Sequence, residues 1–183
     1  MASVLPEITS ELRVWIAQQK MFFVATAPLT EAGLVNCSPK GMDSFRVLGP
    51  TEVAYLDLTG SGAETLAHIR ENQRVTFMFC AFDGLPNIVR LHGRGSIVTP
   101  QMPEWATLRP QFPDYPGARA IIRAQLLRIS DSCGYAVPHY DYREDRDVLL
   151  RWTNNKGEAG VRAYQQQNNL RSLDDLPALD RQG

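Results

Sequence analysis

Apolar residues fall at helical spacing near the start of the chain and at strand spacing for most of the following eighty positions. Ile8, Leu12, Trp15 and Ile16 recur every three or four residues, so Pro6 to Gln19 is predicted as a helix. Pro6 suits its first turn, and Glu7 and Glu11 suit the positive end of its dipole. The period then shortens. Met21–Pro28 is a strand-like apolar run ended by its proline, and Thr30–Gly33 reads as a turn. Leu34–Lys40 alternates weakly, with Pro39 marking a strand end or an irregular edge. After a turn at Gly41–Asp43 come a short strand, Phe45–Leu48, a turn at Gly49–Thr51, and a clean strand, Glu52–Leu58. A loop at 59–65 leads into a short helix with Leu66 and Ile69 on one face and His68 on the exposed side. Arg74–Phe82 reads as a buried central strand, Asp83–Asn87 as a hairpin loop, and Asn87–Thr99 as a long strand bulged at Gly93 and Gly95.

Beyond Pro100 the pattern changes. Gln101–Leu108 and Ala118–Arg128 are predicted as helices joined by a proline-rich link, and Ile129–Pro138 as one more strand. Tyr140–Asp147 is a charged surface run. Val148–Trp152 and Val161–Asn169 are helical, and the polar tail from Ser172 is expected to be mobile. Consecutive strands with hairpin-length joins imply an antiparallel sheet, and curling it into a small barrel removes exposed edges. The βαβ alternation of a dinucleotide fold is absent. The expectation is one domain over 1–183: a barrel over about 20–137, a helical extension over about 140–171, and a mobile tail at 172–183.

Composition narrows the function classes. The 183 residues are 44% hydrophobic and 21% charged, as in an ordinary globule. With 19 Lys+Arg against 20 Asp+Glu, the chain lacks the basic excess needed to grip nucleic acid or anionic membrane non-specifically. No run reaches a membrane span, and the N-terminus lacks the basic and apolar regions of a signal peptide. Cys37, Cys80 and Cys133 form no CxxC pair, so no disulfide framework or zinc motif is expected. The reading is cytoplasmic.

The strongest local signal is Thr59-Gly60-Ser61-Gly62-Ala63-Glu64-Thr65, between a strand and a helix. Free N–H groups at the helix start, with the hydroxyls of Thr59, Ser61 and Thr65, suit a phosphate. The same residues also match an S-x-x-E capping box, which would satisfy those N–H groups unaided. Lys40, Arg70, Arg74 and Arg90 are the cations that would converge on such an anion. Arg90 equally reads as solvent-facing between inward Val89 and Leu91. His68, His92 and His139 have no metal-ligand spacing, and no GxSxG is present. Asp141–Asp147 reads as a solvated loop. Tyr135 and Trp152 are aromatics expected near the mouth of a cofactor site.

These pieces resemble the pyridoxamine 5′-phosphate oxidase-like family of FMN-binding split β-barrels. The resemblance runs from Thr9 to Thr99. Lys40 in LVNCSPKG stands where the family's early strand ends beside the flavin. YLDLTGSGAET stands where strand and loop hold the flavin phosphate, Glu71–Val75 gives the following "xxNxRV" entry, and Arg90-Leu91-His92-Gly93 matches an Arg-x-x-Gly signature. The chain departs from the classical oxidase in three places. Val35 replaces an Arg, Ser61-Gly62-Ala63 replaces a Ser-Arg-Lys clamp, and Asp131–Pro138 replaces the C-terminal Trp/Arg motif. The likeness is therefore to an oxidase-related subgroup. It implies a mainly β fold, an antiparallel six-stranded split barrel with flanking helices, and FMN as cofactor. It further implies a homodimer with FMN at the interface. A small-molecule substrate or an electron donor such as NADH or NADPH is expected, and the charge balance predicts no nucleic acid or membrane partner. The implied cofactor residues are Asn36, Cys37, Ser38, Lys40, Asp57, Thr59, Gly60, Ser61, Gly62, Thr65 and Arg90. F420 or haem in the same barrel, with His92 as the haem ligand, and a non-catalytic flavin-binding or stress-response protein are the alternatives.

Overall fold

A computed structural model describes residues 3–181. In chain order the elements are β1 (Ser3–Leu5), α1 (Ser10–Gln18), β2 (Met21–Thr26), β3 (Asn36–Gly41), β4 (Phe45–Gly49) and β5 (Glu52–Leu58), followed by α2 (Glu64–Asn72), β6 (Arg74–Cys80), β7 (Ile88–Val98), α3 (Pro103–Leu108), β8 (Ala118–Ser132) and α4 (Val148–Asn168). The sheet has eight strands, in the order β3-β2-β6-β7-β8-β5-β4, with β1 paired to β8. Every pairing is antiparallel.

The ends of this path, β3 and β4, are consecutive in the chain and joined by residues 42–44 alone. The sheet must therefore roll until its edges approach, and they meet without a ladder. Aromatic rings fill the interior of the roll. Phe22 of β2 and Phe45 of β4, far apart in strand order, have ring centroids 4.9 Å apart. Tyr55, Phe77 and Phe79 complete the cluster, and their edge-on contacts suit the charge distribution of aromatic rings. α1 closes one end of the core through Leu12 and Ile16, its first turn capped by the Thr9 hydroxyl. α2 packs Leu66, Ala67 and Ile69 on the same core. A second, smaller core forms outside β5 and β8, where Ala54, Leu56, Val98 and Ile121 meet Leu108 and Phe112.

Two expectations change. The helix predicted over Ala118–Arg128 is the first part of β8, which runs on through residues read as a separate strand and stops at Ser132. Ala, Leu, Gln and Arg favour helix intrinsically. Here β8 lies between β5 and β7 and bonds to both, so the sheet overrides propensity. Burial of Ile122, Ala124 and Leu126 with exposure of Arg123, Gln125 and Leu127 is the period-2 signature. The tail is the second change. Residues 172–181 fold back onto the domain: Ala178 is buried in the main core, and Arg70 holds Asp180 through two contacts of 2.7 and 3.0 Å. Residues 182 and 183 lie outside the described residues.

Candidate functional site

β5 ends at Leu58, and the chain turns through 59–63 before α2 begins at Glu64. The capping box is not formed. Ala63 is the N-cap, no side chain caps the helix, and the Glu64 carboxylate accepts from the backbone N–H of Leu173. The α2 N-terminus thus keeps donors that a local cap would have consumed. Space lies above the loop: a Cβ on Gly60 would meet nothing within 4 Å, and one on Gly62 would touch only Glu64. Ser61 opens on a cavity of about 470 Å³ shared with Arg146, Val148, Leu149, Trp152 and Tyr164. Arg146 has no carboxylate within ion-pair distance among the described residues.

Beneath the loop runs a buried polar network. Asp57 is 2% exposed and takes Arg119 Nε at 2.7 Å on one oxygen and Lys40 Nζ at 3.6 Å on the other. Burial alone would raise the Asp57 carboxyl, but the charges of Arg119 and then Lys40 outweigh it and hold it below the usual carboxylate range. Arg119 also donates to Asn169 Oδ1 (2.9 Å), and Asn169 Nδ2 donates to the Gly60 carbonyl (3.0 Å). Gln165 Nε2 donates to Thr59 Oγ1 at 2.7 Å, and that hydroxyl donates to the Gly117 carbonyl. The end of α4 therefore clamps Thr59 and Gly60 from behind. Lys40 keeps 27% of its side chain exposed. The Tyr55 hydroxyl beside this network is buried without a partner, and burial, then the Asp57 charge, push it well above its ordinary range.

A second chain of contacts joins β3 to α2. Ser38 Oγ donates to Asn36 Oδ1 (2.7 Å), and Asn36 Nδ2 donates to both Thr26 Oγ1 and Thr65 Oγ1 (3.1 Å each). Thr26 Oγ1 lies 2.9 Å from His68 Nδ1. His68 Nε2 is buried and has no partner. His68 was expected on the exposed side of the helix and is fully buried. Burial lowers its pKa, against the nearby charges of Glu64, Asp174 and Glu71, so the folded protein binds a proton there less readily than the unfolded chain does. The unfolded chain takes up that proton as pH falls below about 6.5. Unfolding free energy should therefore decline from pH 7 towards pH 5.5. Denaturant titrations across that window should show a shallower decline in His68→Gln; an unchanged slope would refute this assignment.

Other candidates lie apart. In β3, Asn36, Ser38 and Lys40 pair with inward Thr26, Val24 and Phe22, whereas Cys37 pairs with Ala25 and is exposed on the outer face. Arg90 lies between fully buried Val89 and Leu91, so its side chain leaves by the outer face, where Nη1 donates to Ser132 Oγ at 3.0 Å. His92 shares that face, with Nδ1 3.0 Å from Thr76 Oγ1. Arg70 is committed to Asp180, and Tyr135 is exposed. Arg119, Asn169, Gln165 and Arg146 were not singled out from the sequence. Arg119 sat in a segment read as helix, and the others come from the extension, where no motif marks them.

α4 is broken at Gly157, whose φ of 65° and ψ of 170° suit glycine alone. The break brings Trp152 and Tyr164 edge to face at 5.0 Å, with Lys156 over both rings. Both rings line the Ser61 cavity, so this bend shapes its wall. Nothing crowds a Cβ at Gly157, so Gly157→Ala should cost about 1–3 kcal/mol through backbone strain alone, read as a lowered denaturation midpoint. An unshifted midpoint would mean that the bend is not maintained.

The family described as "Pyridoxamine 5′-phosphate oxidase" matches residues 8–133. The pyridoxamine 5′-phosphate oxidase family protein ustO of Aspergillus flavus is 40% identical over 191 residues, covering 94% of this chain and 76% of that protein. Among solved structures, a variant of HupZ from Group A Streptococcus superposes with a TM-score of 0.56 at 22% identity, over 68% of this chain and 99% of that one. A putative pyridoxamine 5′-phosphate oxidase from Lactobacillus delbrueckii gives 0.51 at 19% identity, over 69% and 97%. The structures share the fold, a split barrel; the sequence matches carry the family. With more than half its length matched to the family, and 40% identity to a member across nearly all of it, this chain belongs to the pyridoxamine 5′-phosphate oxidase family.

Proposed function

We propose that the chain is an FMN-binding flavoprotein and an FMN-dependent oxidoreductase, acting in the cytoplasm as a homodimer. The observation that carries this reading is the α2 N-terminus: uncapped, with Ser61 and Arg146 on the open cavity beside it. A dianionic phosphate suits backbone N–H groups, a hydroxyl and a guanidinium together. Arg146 would supply the charge that the absent Ser-Arg-Lys clamp cannot, since Arg70 is paired elsewhere and Arg90 leaves by the outer face. Asn36 and Ser38 would orient the cofactor from β3, and Lys40 would face it with the open side of its ammonium. Bound FMN would supply hydride or electron transfer; the chain supplies position and field. Phe23, Met78 and Arg90 are half-buried on the outer face of β2, β6 and β7 in the single chain, which favours that face for the partner subunit and would bring Arg90 towards the partner's cofactor.

The test is the visible spectrum of the purified protein, with chromatography of heat-released chromophore and light-scattering mass. A two-band flavin spectrum, released FMN and twice the chain mass are expected, with bleaching by NADH or NADPH under anaerobic conditions. A colourless protein that takes up no added FMN would overturn the reading. Bound flavin that no donor reduces would leave a flavin-binding protein without turnover.

A further inference from the structure

A second cavity, of about 440 Å³, opens between α1, residues 42–47 and the loop carrying Tyr142 and Asp145. None of the proposed flavin residues lines it. Its floor is aromatic: Phe22, Phe45 and Phe79 lie with ring centroids 4.9 to 5.6 Å apart. Phe22 and Phe79 are buried, so of the three rings only that of half-buried Phe45 can offer surface to a ligand.

The charges around it are unequal. Arg46 and Asp43 neutralise each other through a two-pronged contact, and Arg46 is further committed to the Phe45 and Gln111 carbonyls. Arg13 donates to the Val47 carbonyl, and the Lys20 ammonium lies 5.5 Å from the centre of the Tyr142 ring. Neither has a carboxylate within ion-pair distance among the described residues. Asp145 is the one other lining acid, so two cations face one carboxylate. An apolar floor selects a flat ring, and the surplus cation selects one negative charge. The half-exposed Tyr142 ring lines the cavity beside Lys20.

We propose that this cavity is a binding site for a flat aromatic monocarboxylate, separate from the flavin site. The ring would lie against Phe45 and the carboxylate would meet Arg13 and Lys20.

The experiment is calorimetric titration of the purified full chain with 2-naphthoate, with neutral 2-naphthalenemethanol as the comparison and with and without added FMN. Saturable binding of one 2-naphthoate per chain is expected, with the neutral analogue clearly weaker. Arg13 and Lys20 are exposed, so the double variant Arg13→Gln/Lys20→Gln should unfold at the wild-type midpoint yet bind 2-naphthoate about tenfold more weakly. Added FMN should leave the affinity unchanged. Absence of saturation, equal affinity for the neutral analogue, or an unaffected double variant would overturn the proposal. Displacement by FMN would also overturn it, by showing that the probe occupies the flavin site. Because this readout needs no bound flavin, the site stands or falls independently of the FMN reading.

Discussion

Arg119→Met should lower the unfolding free energy at pH 7 by about 3–5 kcal/mol, the cost of stripping one partner from a buried ion pair. Asp57 lies 2% exposed, and Arg119 is its largest favourable charge. Without it the carboxylate keeps only Lys40, at 3.6 Å and partly in water. The pH dependence should change sign. In the wild type the Asp57 carboxyl is depressed, so its contribution is complete above the unfolded carboxylate value near 3.9 and is lost as pH falls through the lower folded value. In the variant, burial dominates and the folded carboxyl rises above the unfolded one. The variant should then regain part of its deficit as the pH is lowered from neutral and Asp57 is protonated. Denaturant unfolding at pH 7 and pH 5 measures both effects. A loss under about 1 kcal/mol, or a deficit that does not shrink at pH 5, would mean that water reaches Asp57 and the network is not closed.

The same substitution should disturb the loop above. Arg119 holds Asn169, which holds the Gly60 carbonyl, while Gln165 holds Thr59. Losses from Arg119→Met and Asn169→Ala should therefore not add, since each breaks one chain of contacts. Little of this was legible in the sequence. Glu52–Leu58 was legible with the bounds of β5 because Val53–Leu56 is a short continuous apolar run between a Gly-Pro-Thr turn and a glycine-containing loop, the length of a strand buried on both faces. β8 is buried on both faces in the same way at Ile121 and Ile122, but its run continues for fifteen residues without a turn signal and is rich in Ala, Leu and Arg, so it resembles a helix. Ser61 and Glu64 have the right spacing for a capping box, yet Glu64 is drawn away by Leu173, over a hundred residues later. His68 was misplaced for a related reason. On a nine-residue helix packed by β2 and β7, most of the circumference is interior, so a polar residue between Leu66 and Ile69 is covered too. The candidate loop was visible because its glycines and hydroxyls are local. Its clamp was not, because Arg119, Gln165 and Asn169 are supplied by distant segments and nothing in their neighbourhoods marks them.

The second large effect concerns the cation at the cavity. Arg146→Gln should weaken FMN by about ten- to a hundredfold, the range for a hydrogen bond to a charged group, and leave riboflavin almost unchanged. Riboflavin carries the same ring system without the phosphate, so the ratio of the two dissociation constants isolates the phosphate from the ring. Ser61→Ala should lower the same ratio less, because a neutral donor contributes less than a charged one. Raising ionic strength should narrow the wild-type ratio and scarcely move that of Arg146→Gln, since Arg146 is exposed and its field is screened by salt. Fluorescence titration of the flavin-free protein with each ligand gives all of these numbers. Equal losses for FMN and riboflavin would place Arg146 against the ring. No loss for either would return the charge to Arg90, which leaves by the outer face and could reach a phosphate only from the partner subunit. In that case FMN affinity, but not riboflavin affinity, should fall when the proposed homodimer is diluted apart.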